Sequence, residues 1–277
     1  MKFLDQLLTA HQNNHSMLCV GLDPEPRRFP LKWRGDSHRI FEFCAEIVNA
    51  TSDVVMAYKP QIAYFSSHKA EAQLERLIQH IREVAPHVPI ILDAKRGDIG
   101  STAEQYAIEA FERYGADALT LSPFMGFDSI APYLKYHDKG AFLLCRTSNP
   151  GGDDLQNQRL ANVKGEPHLY EHIANLAHGP WNTNGQLGLV VGATYPNEIE
   201  RVRAFAPHLP LLIPGIGAQG GDAQATVKAA KSDAKARVIV TSSRAIIYAS
   251  DGEDFAKAAR AEALQTRALL QKALEAA

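Results

Sequence analysis

The chain has 277 residues, 45% of them hydrophobic and 22% charged, with a formal net charge of −2. This is ordinary globular composition, and α/β barrels of this length are common as one unit. A balance this close to neutral excludes overall electrostatic attraction to nucleic acid or an anionic membrane, so any anion must be held by local groups.

Short apolar runs bounded by turn signals predict a first strand over 18–22, ending just before Asp23. A helix over 37–50 follows, with Ile40, Phe41, Cys44, Ile47 and Val48 on one face. The second strand, 54–59, ends in Lys59, and the helix 70–84 aligns Leu74, Leu77, Ile78 and Ile81. The third strand, 89–93, ends in Asp93-Ala94-Lys95-Arg96-Gly97-Asp98. Side chains two apart on a strand share a face, so Asp93 and Lys95 are expected to project together beyond its carboxyl end. Ser101-Thr102-Ala103-Glu104 reads as a capping box opening the helix 103–114.

Strand 118–122, helix 130–136 and strand 141–146 come next, the last followed by Thr147-Ser148-Asn149. Pro150-Gly151-Gly152-Asp153-Asp154 has the composition of a lid, and the long segment 151–185 adds a helix over 168–177. Strand 187–193, helix 196–205, strand 211–214, helix 222–230, strand 238–242 and an alanine-rich helix 254–274 complete the chain. Eight strands alternating with eight helices predict a parallel, closed (β/α)₈ TIM barrel, one domain over residues 1–277, in preference to an open doubly wound sheet. In such barrels functional residues lie at the carboxyl ends of the strands. Asp23, Lys59, Asp93, Lys95, Ser148, Gly215 and Arg244 meet that demand.

Gly215-Ile216-Gly217-Ala218-Gln219-Gly220 has dinucleotide-like spacing, but it follows the seventh strand and no acidic residue ends the eighth. Glycine-rich backbone at a helix start, with Arg244 on the next loop, suits a phosphate instead. The cysteines Cys19, Cys44 and Cys145 are odd in number and lack metal-ligand spacing, as expected of buried thiols in a reducing compartment. Residues 1–8 do not read as a signal peptide and no apolar run is long enough to cross a bilayer, so a cytoplasmic protein is expected. His11/His15 and His168/His172 stand at helix spacing without a third ligand and read as solvated faces, not metal sites. Trp33 and Trp181 are expected to fill gaps in loop-rich stretches.

Taken together these residues resemble the orotidine 5′-monophosphate decarboxylase family. The most specific element is Asp93-x-Lys95-x-x-Asp98-Ile99-x-x-Thr102, preceded by Lys59, and the likeness runs from Gly21-Leu22-Asp23 to Ser243-Arg244. The resemblance implies decarboxylation of the nucleotide to uridine 5′-monophosphate, in pyrimidine synthesis, without metal or other cofactor. It implies that Lys59, Asp93, Lys95 and Asp98 form an alternating charge network, with Lys95 stabilising and then protonating the carbanion at carbon six. Asp98 and Thr102 would act across a homodimer interface. Asp23, Ile99 and Thr102 would bind substrate, Ser148 would read the pyrimidine, and Gln219, Arg244 and the loop glycines Gly215, Gly217 and Gly220 would hold phosphate. The alternatives are a metal-dependent keto-sugar phosphate decarboxylase or lyase on the same barrel, and a non-catalytic phosphate-ligand sensor.

Overall fold

The computed structural model describes residues 1–216, 222–233 and 236–277. Its strands are β1 (Leu18–Leu22), β2 (Ala57–Pro60), β3 (Ile91–Arg96), β4 (Ala118–Leu121), β5 (Gly140–Arg146), β6 (Leu187–Val191), β7 (Leu211–Pro214) and β8 (Val238–Ser242). They pair in the order β2-β1-β8-β7-β6-β5-β4-β3, and the ladders between these neighbours are parallel. Parallel bridges Tyr58↔Ile90 and Gln61↔Asp93 join β2 to β3 and close the ring. The expected barrel is therefore observed, with strand limits shifted by no more than three residues.

Strand parity explains how one sheet serves two cores. Residues such as Leu18, Val20, Leu92, Leu119, Leu143 and Val240 face outward and pack beneath the helices. Cys19, Ala57, Ile91, Ala118, Phe142, Val190, Leu212 and Ile239 face inward and fill the barrel. Both faces are dry, so the strands read as continuous apolar runs. The helix Ile40–Thr51 buries Phe43 where Phe41 was expected, while Glu71–Val84 buries the four residues anticipated.

One local expectation fails, and one helix was not anticipated. The Ser101…Glu104 capping box does not form: the helix starts at Gly100, and its N-cap residue, Ile99, has no side-chain cap. That helix also loosens into a π turn over Glu109–Arg113. At the other end of the barrel, residues Phe3–Asn14 form a helix that the apolar pattern did not announce. Its Phe3 and Leu7 plug the amino-terminal mouth, and the Phe3 ring meets Phe142 edge-on at 5.7 Å. With that mouth closed by apolar packing, polar inward-facing residues are left for the opposite rim.

Candidate active site

Moving up the barrel from the apolar layer, the next inward positions are Lys59 on β2, Asp93 on β3, Thr120 on β4 and Thr241 on β8. All four are buried. Lys59 Nζ donates to Asp93 Oδ2 at 2.7 Å, and Lys95 Nζ donates to Asp93 Oδ1 at 2.6 Å. A single carboxylate thus sits between two ammoniums, one buried and one reaching the cleft with its side chain 47% exposed. Burial alone would raise the Asp93 pKa, but the charges of Lys59 and Lys95 outweigh it and hold the carboxyl well below the usual range. Burial pulls Lys59 down; the carboxylates of Asp93 and Asp23 more than reverse this and keep its ammonium above the ordinary lysine value.

Asp93 and Lys95 do converge, though not through the regular alternation that the sequence suggested. Ladder pairs run Leu92↔Leu119 and then Arg96↔Leu121, so three residues of β3 stand opposite the single residue Thr120. Lys95 accordingly adopts φ +47°, a left-handed backbone that non-glycine residues rarely take and that clusters at functional sites. The bulge turns the Lys95 side chain back onto Asp93. Thr120 was missed in the sequence because it looks like one more β-branched residue in an apolar strand.

Asp23, on the loop after β1, lines the same cleft, and its buried Oδ1 has no hydrogen-bond partner among the described residues. The Tyr248 hydroxyl holds that loop, donating to the Asp23 carbonyl at 2.8 Å and accepting from the Glu25 amide at 2.6 Å. The cleft has two lobes joined at Lys59, Asp93 and Pro214. One, about 170 Å³, is lined by Asp23, Gly215, Thr241, Ser243 and Arg244. The other, about 270 Å³, is lined by Lys95, Thr120, Ser148, Asn149 and Val190. Gly215 has φ +107°, a conformation that favours glycine. Gln219 and the glycines Gly217 and Gly220 lie outside the described residues.

Ser148 reaches the second lobe because Gly192 lies beneath it: a Cβ there would come within 2.9 Å of the Ser148 backbone nitrogen. The stretch after β5 is tied down by Arg146, which is buried and gives two hydrogen bonds to Glu198 and one to Asp153. Gln156 accepts from the Thr147 amide at 2.8 Å. These contacts anchor the 3₁₀ turn Pro150–Asp154, the segment expected to be a lid.

Asp98 and Thr102 do not join the cluster. The Asp98 carboxylate accepts from the Ile99 amide at 2.8 Å, and Asp98, Ile99 and Thr102 line neither lobe. Ile99 is 54% exposed, and Phe124 and Met125 on the loop after β4 are 77% and 45% exposed. The two loops adjoin, since Ser122 N donates to the Arg96 carbonyl at 2.7 Å. Among the described residues, no group of three His, Cys, Asp or Glu side chains is arranged to hold a metal ion. No helix is long and apolar enough to cross a membrane among those residues. The cysteine thiols are all buried, and burial pushes that of Cys19, beneath Lys59, up to about 12.

Residues 16–259 match the family described as Orotidine 5′-phosphate decarboxylase / HUMPS family. This chain belongs to that family. A curated orotidine 5′-phosphate decarboxylase of Polaromonas naphthalenivorans is 75% identical over 273 residues, covering 99% of this chain and 96% of that protein. The corresponding Delftia acidovorans protein is 72% identical over 276 residues, with both chains fully covered. Among solved structures, an OMP decarboxylase of Leishmania donovani superposes with a TM-score of 0.86 at 39% identity, again over the whole of both chains. The family membership extends over all the strands and both lobes of the cleft, from β1 to β8.

Proposed function

We propose that the protein acts as an orotidine 5′-phosphate decarboxylase whose chemistry is carried by Lys59, Asp93 and Lys95, completed by Asp98 of the partner subunit. The protein removes CO₂ from orotidine 5′-monophosphate to give uridine 5′-monophosphate in pyrimidine biosynthesis. The observation that carries the residue assignment is the Lys59–Asp93–Lys95 array, with both ammoniums within 2.7 Å of one carboxylate at the carboxyl rim.

Loss of CO₂ leaves an electron pair in the plane of the pyrimidine, where the ring π-system cannot delocalise it. Stabilisation must come from charge already in place, because fixed charge needs no reorganisation when the carbanion develops. Lys95 is the member of the array that reaches into the cleft, and it supplies both the positive charge and the proton that replaces CO₂. Asp93 holds Lys95 on one side and the buried Lys59 on the other. The phosphate end would lie in the smaller lobe against Arg244 and the Gly215 loop, the ribose against the free acceptor of Asp23, and the pyrimidine beside Ser148. Phosphate contacts remote from the reacting carbon can order the loop at Pro150–Asp154 over the cleft.

One chain contributes two ammoniums and one carboxylate to this array, a net positive charge. A homodimer that brings in the partner subunit's Asp98 would neutralise it, and the exposed Ile99, Phe124 and Met125 beside Asp98 supply an apolar face for that contact. Thr102 would cross the same interface. We take the chain to be one catalytic domain working in the cytoplasm.

The test is decarboxylation of orotidine 5′-monophosphate by purified protein, with no added cofactor and with EDTA present. Turnover that is undiminished by the chelator is expected. No turnover would refute the reading, and turnover abolished by EDTA and restored by a divalent ion would refute cofactor-free chemistry.

A further inference from the structure

The bulge in β3 creates a problem that one side chain solves. Where three residues face one, the regular ladder is interrupted and peptide N–H groups lose their strand partners. The amides of Ala94 and Lys95 both turn to Thr120 Oγ1, at 3.1 and 3.0 Å. The same oxygen lies 2.9 Å from Asp93 Oδ1. A hydroxyl has one proton and two lone pairs. With both lone pairs taken by amides, its proton can go only to the carboxylate. The hydrogen-bonding capacity of Thr120 is thereby filled, and its side chain is 2% exposed.

We infer that Thr120 is a positioning residue for the decarboxylation: its hydroxyl locks the Asp93 carboxylate and the left-handed Lys95 backbone into one register. This rests on the decarboxylase reading above. Asp93 Oδ1 then has two donors, Lys95 Nζ and Thr120 Oγ1, while Oδ2 receives Lys59. Each carboxylate oxygen is fixed, and the ammonium of Lys95 is fixed in turn. Without the hydroxyl, the two bulge amides and Oδ1 each lose a partner. The bulge can then relax toward regular strand, which moves the Lys95 side chain away from the reacting carbon. The Thr120 hydroxyl bonds to Asp93 and the two bulge amides and not to Arg244, Asp23 or Ser148, so its loss falls on the chemical step more than on nucleotide binding.

Thr120→Ser, Thr120→Ala and Thr120→Val separate the hydroxyl from the shape of the side chain. Wild type is assayed alongside, so that a failure of the decarboxylase reading shows as absence of turnover in wild type itself. The serine variant is expected to keep kcat within about threefold of wild type, whereas alanine and valine lower it roughly 10- to 100-fold, the scale of an ångström-sized misplacement. The Kd for uridine 5′-monophosphate is expected to stay within about threefold in all four proteins, well under the 1.4 kcal/mol that a tenfold change represents. Wild-type kcat in both Thr120→Ala and Thr120→Val would overturn the inference. So would parallel losses of kcat and nucleotide affinity, failure of serine to rescue, or collapse of the fold in both hydroxyl-free variants, which would make Thr120 a folding element only.

Discussion

Replacing Asp93 by asparagine removes the one carboxylate that the array holds between its two ammoniums while keeping the shape of the side chain. At the observed 2.7 Å between Lys59 Nζ and Asp93 Oδ2, a unit charge pair interacts by about 6 kcal/mol at an effective dielectric of about 20. Desolvation of both groups offsets much of that, and the cost of orphaning a buried partner is roughly 3–5 kcal/mol. The Lys95 pair adds little, because that side chain is half exposed and water screens it. For a chain of this size the loss corresponds to a fall in Tm of roughly 6–20 °C. The pH dependence has a definite sign. Asp93 titrates below its unfolded value of about 3.9, so its contribution is complete above that pH and fades as pH falls toward the folded pKa. Lys59 titrates above its unfolded value of about 10.4, so its contribution is complete below that pH and is lost as pH rises through the folded pKa. Urea unfolding of wild type and Asp93→Asn should show the full gap near about pH 6 and a narrower one toward about pH 9, because buried Lys59 sheds its proton more readily once Asp93 is gone. Adding Lys59→Met to Asp93→Asn should recover most of it, because the orphaned buried charge is then gone. A gap below about 1 kcal/mol, or a double variant less stable than Asp93→Asn, would refute the claim that burial of Lys59 depends on Asp93.

Arg244→Ala should weaken uridine 5′-monophosphate binding by about 1.5–3 kcal/mol, the range for a hydrogen bond to a charged group, without changing the affinity for uridine, which lacks the phosphate. Equal losses for both ligands in titration calorimetry would remove Arg244 from the phosphate lobe. Homodimers of Lys95→Ala and of Asp98→Ala should each be inactive, whereas mixing them one to one should restore about a quarter of wild-type activity. Half the dimers are then hybrids, and each hybrid has one intact site of two. No recovery after confirmed subunit exchange would show that Asp98 does not cross the interface.

The barrel was legible because parallel strands buried on both faces leave short apolar runs separated by amphipathic helices. Lys59, Asp93 and Asp23 were legible for a related reason: a charged residue ending an apolar run must lie where the strand meets the rim. The misses share a physical cause. Thr120 ends up beside Asp93 only because β3 bulges, and nothing in Ala118-Leu119-Thr120-Leu121 records the register of a neighbouring strand. Arg146 meets Glu198 from 52 positions away, a pairing created by adjacent strand ends and not by local spacing. Residues Phe3–Asn14 form a helix whose Phe3 and Leu7 are buried by the barrel mouth, a surface that exists only once the sheet has closed. The capping box failed for the converse reason: Gly100, with φ +55°, starts the helix before Ser101 can cap it.

Fixed positive charge at the carbon that loses CO₂ is tested most directly by single-turnover decarboxylation in Lys95→Ala. The side chain is 47% exposed and its removal leaves the Lys59–Asp93 pair in place, so the fold should survive. The chemical step is expected to slow by more than roughly 1000-fold, as removal of both the electrostatic stabiliser and the proton donor requires, with uridine 5′-monophosphate still bound. A variant that binds the product normally and decarboxylates within about tenfold of wild type would contradict the account.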